Sequence, residues 1–399
     1  MEKFSDRVNR LGYSQTFVMS NKVREMKAQG IDVISLTLGE PDFDVPDNIK
    51  QAAFDAINEN FSHYSPIPGF LELREAIAHK LKRDNHLEYK PTQICVSNGA
   101  KQAISNILAA LINDGDEVIL PTPYWVSYDE MVKMMGGTSV FIKTTYETDF
   151  KITVAQLEQA ITPKTKVLLY SSPCNPSGSY YTYEELKALA EVIAQYPNLT
   201  VISDEIYEYI NYDGAHESIA QFPEIYEQVA IINGMSKGYA MTGWRIGYSA
   251  CPEWLAKACD KIQGQITSGA NTIAQRAAIT ALKTHPSEYR YMVEAFEKRR
   301  NLTFDLMKDI KGFKVTLPKS AFYLYPDISY YIGKTINGTL IKNADDFAMF
   351  LLENAYVGCV GGVSFGSPEC IRFSYAASET NLKEAMERIK MCLEQAVIE

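Results

Sequence analysis

Between residues 94 and 234 the chain repeats one unit: a short apolar run, then a segment long enough for a helix. The apolar runs are "QICVSN", "DEVILP", "TSVFIKT", "KVLLYSSP", "TVISDEIY" and "QVAIINGMS". Ala100 to Ile112, Ser127 to Met135 and Tyr183 to Gln195 are helix-length segments between them. A strand with one wet face alternates polar and apolar residues. These runs are apolar through most of their length, so both faces must be covered. Strands buried in this way and joined by crossover helices form a mostly parallel sheet flanked by helices, an α/β architecture. Ligands of such sheets bind beyond the carboxyl ends of the strands. The residues just after each run are therefore the ones to question.

The flanking segments read differently. Ser14 to Gln29 predicts a helix stopped by Gly30, and "IDVISLTLGEPDF" follows as a short strand running into a turn. Pro46-Asp47 opens a helix through Asn58, and "FLELREAIAHKLKRD" is amphipathic. After about Pro286 a charged helix, Ser287 to Asp309, leads into "GFKVTLP", "AFYLYPD" and "CIRFSYA", the texture of a smaller α+β domain. The expected division is an N-terminal segment, 1–45, joining the small domain, a large domain over 46–286 and the small C-terminal domain over 287–399.

A formal net charge of −10 argues against a nucleic-acid partner, which needs a basic face. The 7 cysteines are scattered without a CxxC pair, a pattern of reduced thiols rather than of a disulfide framework or zinc site. Met1 to Gly12 is charged and has no apolar segment of the signal-peptide kind. No stretch reaches the roughly 18 apolar residues of a membrane span. The expected location is the cytoplasm.

Neither a Walker A loop nor a GxGxxG fingerprint is present. The strand ends offer instead Gly99-Ala100-Lys101, Trp125, Asn175-Pro176, Asp204 with Tyr207, and Lys237 with Arg245. That set holds an amine, an acid, hydroxyl and amide groups, a flat aromatic ring and phosphate ligands, the groups pyridoxal phosphate requires. Taken singly each residue is ordinary. A lysine after a strand is commonly a solvated charge, Asn-Pro a common turn, a lone tryptophan core packing. Arg372 alternates with Ile371 and Phe373, which places it on the exposed side of a strand.

The segments "LGEPDFDVP", "PGFLELREAI", "PTPYWVSY", "SSPCNPSG", "SDEIYE", "MSKGYAMTGWRIGY" and "IRFSYAASETNL" together span nearly the whole chain. In them the sequence resembles the class I aminotransferases of fold type I, and among these the bacterial aspartate and aspartate/prephenate aminotransferases. The resemblance implies a seven-stranded, mostly parallel sheet with flanking helices and a small α+β domain. It makes Lys237 the Schiff-base lysine and proton shuttle of pyridoxal 5'-phosphate. Arg245 becomes a phosphate ligand, as do Gly99, Ala100 and Lys101 at the start of a helix. Asp204 is implied as the partner of the pyridine nitrogen, Asn175 and Tyr207 as hydrogen-bond partners of the ring oxygen, and Trp125 as the stacking ring. Tyr64 matches a tyrosine that reaches the phosphate of the neighbouring subunit, which implies a homodimer with shared sites. Arg372, with the Gly39 backbone beside it, is implied to clamp the substrate α-carboxylate, and Ser14, Thr16 and Lys101 to meet a distal one.

The implied reaction is L-aspartate + 2-oxoglutarate = oxaloacetate + L-glutamate, by a ping-pong mechanism on amino acid and 2-oxo acid substrates. Alternatives are an aromatic or prephenate-type aminotransferase, a β-lyase on the same scaffold, or a non-catalytic pyridoxal-phosphate module. Three positions depart from the pattern. Gly12-Tyr13 stands where relatives active on prephenate carry a basic residue. Gly234 replaces a common phosphate-binding Ser or Thr, and Cys174 replaces Asn in the SSPxNP motif.

Overall fold

The structure, a computed structural model, describes residues 3–214 and 216–399. Its strands in chain order are β1 (Ile34–Ser35), β2 (Ile94–Asn98), β3 (Glu117–Pro121), β4 (Thr138–Ile142), β5 (Thr165–Ser171), β6 (Thr200–Asp204) and β7 (Val229–Gly234). They continue as β8 (Ile246–Ala250), β9 (Tyr323–Leu324), β10 (Thr335–Ile336), β11 (Thr339–Leu340), β12 (Val357–Gly358), β13 (Val360–Gly361) and β14 (Ile371–Ser374). The central sheet has 7 strands in the order β2-β8-β7-β6-β5-β3-β4. All neighbours pair in parallel except β8, which is antiparallel to both β2 and β7. The chain is thus an α/β protein.

The apolar runs form strands because each has two dry faces to fill. Val118, Leu120, Val167, Leu169, Ile202, Ala230 and Ile232 point into one hydrophobic cluster. Ile119, Leu168, Val201 and Ile231, the residues between them, point into the other. That is period-two alternation between two cores rather than between core and water. Crossover helices such as Tyr183–Ile193 start cleanly. The Thr182 hydroxyl accepts from the Glu185 amide while the Glu185 carboxylate accepts from the Thr182 amide at 2.8 Å.

Beyond the sheet, β9, β14 and β13 make an antiparallel three-stranded unit, and β1 pairs in parallel with β12. "GFKVTLP" forms no strand. Only an isolated bridge, Lys314 with Asp327, remains of it. The charged helix runs Arg290–Met307 after a short 3-10 turn at Pro286–Tyr289. Among the described residues no helix is long and apolar enough to cross a membrane.

The carboxyl ends of β2, β3, β5, β6 and β7 share one edge of the sheet, and β8 starts from that same edge. Gly99, Trp125, Asn175, Asp204, Lys237 and Arg245 all lie at or just beyond that edge.

Candidate active site

A cavity of about 490 Å³ opens at this edge. Ser14, Thr16, Gly39, Ala100, Lys101, Trp125, Asn175, Asp204, Tyr207, Lys237, Arg245 and Arg372 line it. Gly99 sits just behind the lining, and Tyr64 lies outside it, 94% exposed. The cavity wall carries four basic side chains, Lys101, Lys237, Arg245 and Arg372, against two carboxylates, Glu40 and Asp204. In a chain with a net charge of −10, this local excess of cations marks a site for anionic ligands.

Lys237 lies in the loop between β7 and β8, and its Nζ donates to the Gly39 carbonyl at 2.5 Å. Desolvation in the cavity brings its amine down to about 8, Arg372 and Arg245 push the same way, and Glu40 opposes. Asp204 ends β6 and is buried. Its Oδ2 accepts from the Tyr128 hydroxyl at 2.6 Å and its Oδ1 from the Ile206 amide at 3.2 Å. Burial pushes the carboxyl up to about 6 against the pull of those two donors.

Arg372 is 2% exposed, which corrects the placement its strand periodicity suggests. Every residue of β14 is buried, and the face that periodicity leaves open is covered at Arg372 by Asn175, the Thr37 carbonyl and the Tyr323 and Phe365 rings. Its Nη1 donates to Asn175 Oδ1 at 2.9 Å and its Nη2 to the Thr37 carbonyl at 2.6 Å, and the guanidinium lies over the Tyr323 ring. Its buried Nε has no hydrogen-bond partner, and among the described residues no carboxylate pairs with it. A buried guanidinium left without a counter-ion is costly unless a ligand supplies one.

Arg245, open to solvent, takes a left-handed backbone conformation (φ 57°) directly before β8. Its guanidinium donates to the Thr242 carbonyl at 2.8 Å and packs where a side chain on Gly99 would stand: a Cβ there would lie 2.4 Å from Nη2. A Cβ on Gly247 would meet the Ala100 amide nitrogen at 2.2 Å, so only glycine lets β8 press against the first turn of the helix Ala100–Leu111. The Lys101 ammonium sits over the Trp125 ring, 4.8 Å from its centroid. Ser14 precedes the helix Gln15–Ala28 without making a side-chain capping bond.

Sequence reasoning missed Tyr128, Tyr323, Ser236 and the Thr242–Glu40 pair, whose side chains hydrogen-bond across the cavity mouth. Tyr128 was legible in principle, since it follows Trp125 by one helical turn at the end of "PTPYWVSY". Tyr323 was not. Its hydroxyl shares a 2.7 Å hydrogen bond with Tyr207 and occupies the space a side chain at Gly39 would need, 2.1 Å from that Cβ.

The departures acquire reasons. A Cβ on Gly234 would stand 2.7 Å from both the Gly247 Cα and the Ile246 carbonyl, so Ser or Thr does not fit there. Cys174 is buried against the Pro123 carbonyl, and burial pushes its thiol up. The Gly12 amide donates to Glu130 Oε2 at 2.7 Å, which places an acid rather than a base beside that position.

Similarity to known proteins extends over nearly the whole chain. The aminotransferase class I and II family matches residues 31–389. A probable aspartate/prephenate aminotransferase of Rhizobium leguminosarum bv. phaseoli is 47% identical over 394 residues, 98% of either chain. The crystal structure of the aspartate aminotransferase of Rhizobium meliloti superposes with a TM-score of 0.96 at 39% identity, covering 100% of both chains. That of Thermus thermophilus with maleate gives 0.92 at 38% identity, covering 98% of this chain and 100% of the other. The chain belongs to the class I and II aminotransferases.

Proposed function

We propose that the protein is a pyridoxal-phosphate-dependent aminotransferase moving the amino group of L-aspartate to 2-oxoglutarate. The observation that carries this reading is the buried, uncountered Arg372 guanidinium facing the same cavity as the Lys237 amine. One supplies a carboxylate site and the other a nucleophilic nitrogen, the two ends of an α-amino acid's chemistry.

The residues present fit the cofactor. Lys237 would carry it, Asp204 would face its ring nitrogen, and Trp125 would lie against its ring. Asn175 has its Oδ1 engaged by Arg372, which leaves the amide N–H groups to donate to the ring oxygen beside the Tyr207 hydroxyl. Arg245, the Ser236 hydroxyl and the amides opening the helix Ala100–Leu111 suit the phosphate, with Gly99 making room for Arg245. When bound, the pyridine ring acts as a sink for the electrons left at the substrate Cα. Lys237, neutral in good part above pH 8, suits removal of the Cα proton.

Arg372 uses two of its five N–H donors on Asn175 and Thr37, and the rest remain for the substrate α-carboxylate. Lys101, Ser14 and Thr16 line the same cavity and suit a second carboxylate. The relative solved with maleate holds a dicarboxylate, which supports that assignment. Prephenate, named for the Rhizobium leguminosarum relative, is less well served here, with Glu130 against Gly12. The exposed Tyr64 ring supports a homodimer in which Tyr64 completes the partner's site. The parallel pairing of β1 with β12 supports assigning residues 1–45 to the C-terminal domain, and the 7 scattered cysteines support a cytoplasmic location.

Borohydride reduction of the cofactor-loaded protein followed by peptide mapping tests the reading. Lys237 should carry the label, and a single-turnover spectrum should show aspartate and glutamate as the preferred donors. A label on another lysine, or on none, would reject it.

A further inference from the structure

Tyr128 is fully buried in the helix Ser127–Met134, one turn beyond Trp125, whose carbonyl accepts its amide at 2.8 Å. Its ring meets the Trp125 ring edge-on, with centroids 5.6 Å apart and planes at 89°. Its hydroxyl donates to Asp204 Oδ2 at 2.6 Å, short for a neutral donor and normal for a charge-assisted one. The Ile206 amide holds the other oxygen. With one donor on each oxygen, the Asp204 carboxylate cannot rotate, and each oxygen keeps a lone pair free for the cavity.

We infer that Tyr128 is a positioning residue for the reaction, fixing the Asp204 carboxylate and the Trp125 ring relative to one another through its hydroxyl and its ring edge. The inference rests on the reading that Asp204 faces the cofactor's ring nitrogen and Trp125 its face. The titratable and charged groups around Asp204 are Tyr128 from its helix, Cys174 from the loop after β5, Glu205 and Tyr207 from the segment that follows it, and Lys237 after β7. Among them only Tyr128 hydrogen-bonds the carboxylate. Burial and, more weakly, Glu205 favour a neutral Asp204, while the Tyr128 hydroxyl, the Ile206 amide and the Lys237 charge favour its ionised form, Tyr128 being the side chain among them that hydrogen-bonds it. Burial and Asp204 together hold the Tyr128 phenol well above its ordinary range, so it remains the donor.

Tyr128→Phe removes the hydroxyl and keeps the ring edge. Two measurements on it separate this role from the functional reading. The first uses cofactor-free protein labelled at the aspartate carboxyl carbon, with the Asp204 resonance assigned by Asp204→Asn. Its titration midpoint should move up by about one pH unit or more in Tyr128→Phe, a tenfold change in proton affinity. The second uses protein saturated with pyridoxal phosphate: kcat with aspartate should fall roughly 10- to 100-fold while KM stays within about threefold. An unmoved Asp204 titration overturns the inference, as does a moved titration with kcat within about twofold of wild type. Wild-type protein that takes up no pyridoxal phosphate overturns the functional reading and this role with it, and the cofactor-free titration then still reports the Tyr128–Asp204 contact. Should Tyr128→Phe fail to fold, wild-type sequence grown with 3-fluorotyrosine serves instead. Its more acidic hydroxyl is the stronger donor, so the Asp204 midpoint should move down, and a fixed midpoint overturns the inference.

Discussion

Replacing Arg372 by lysine keeps a positive charge in the cavity and removes the planar fork. In the structure that fork is held from two sides, by Asn175 Oδ1 at 2.9 Å and by the Thr37 carbonyl at 2.6 Å, so its orientation is set before any substrate arrives. A carboxylate received by two of the remaining N–H groups makes two charge-assisted hydrogen bonds, each contributing about 1.5–3 kcal/mol. Their loss corresponds to a fall in kcat/KM of roughly 10²- to 10⁴-fold. A lysine ammonium recovers part of the charge but leaves Asn175 and Thr37 short of a donor, which keeps the loss large. Because every amino acid has an α-carboxylate, aspartate, glutamate, alanine and tyrosine should all suffer alike. Lys101→Ala is the control. Lys101 is open to solvent and stacked over Trp125, and its loss should lower kcat/KM by roughly 10- to 100-fold for aspartate and glutamate and much less for alanine and tyrosine. Both variants are assayed by steady-state turnover with all four donors at saturating pyridoxal phosphate. Near-normal kcat/KM in Arg372→Lys, or equal losses for acidic and neutral donors in Lys101→Ala, would refute the assignment of the two carboxylate sites.

Three other outcomes are expected. In cofactor-free protein the folded-state Asp204 carboxyl is raised from 3.8 to about 6, so between those values the fold binds a proton that the unfolded chain does not, and stability falls as pH rises through that window. Asp204→Asn should therefore stabilise the cofactor-free protein by about 1–3 kcal/mol at pH 8 and by little near pH 4, measured by urea unfolding, and a pH-independent difference would contradict this. Gly39→Ala forces a methyl to 2.1 Å from the Tyr323 hydroxyl oxygen and should depress turnover strongly, with Tyr323→Phe recovering part of the loss in the double variant. Mixing Tyr64→Phe and Lys237→Ala chains should restore a fraction of wild-type sites through subunit exchange, and a fully active monomer in sedimentation would exclude that.

The sheet was legible where the chain is apolar on both faces, as in Val167 to Tyr170, because a run of that kind has few other solutions. β8 escaped that logic. Ile246–Ala250 carries Gly247 and Ser249 and is buried because it is thin enough to lie against the helix start at Ala100, a fact of packing rather than of hydrophobicity. "TVISDEIY" stops as a strand at Asp204, where the ladder to β7 ends and the chain turns over the cavity. The helices Thr272–Lys283, Ala344–Asn354 and Glu379–Gln395 could have been read, since Asn271, Asn343 and Ser378 each cap the helix they precede. Among cavity residues, Lys101, Trp125, Asn175, Tyr207 and Lys237 after the strand ends were found by position, Ser236 after β7 was missed, and Arg372 was found only by resemblance, its periodicity pointing the wrong way. Tyr323 was beyond either approach, because its partners, Gly39 and Tyr207, come from two other distant segments.

The hairpin of β7 and β8 holds Lys237 and Arg245 inside one loop whose ends are pinned by the pairing of Gly234 with Gly247. Ring closure there is short and inexpensive in chain entropy. The Arg372–Asn175 contact spans 197 residues, and the bond from Arg372 to Thr37 spans 335, joining the two ends of the chain. The topology therefore separates two assembly events: the amine and its neighbouring guanidinium are brought together by local structure, whereas the carboxylate clamp waits until the first forty residues and the last thirty have both docked. A nascent chain still lacking its C-terminus can build the first and not the second.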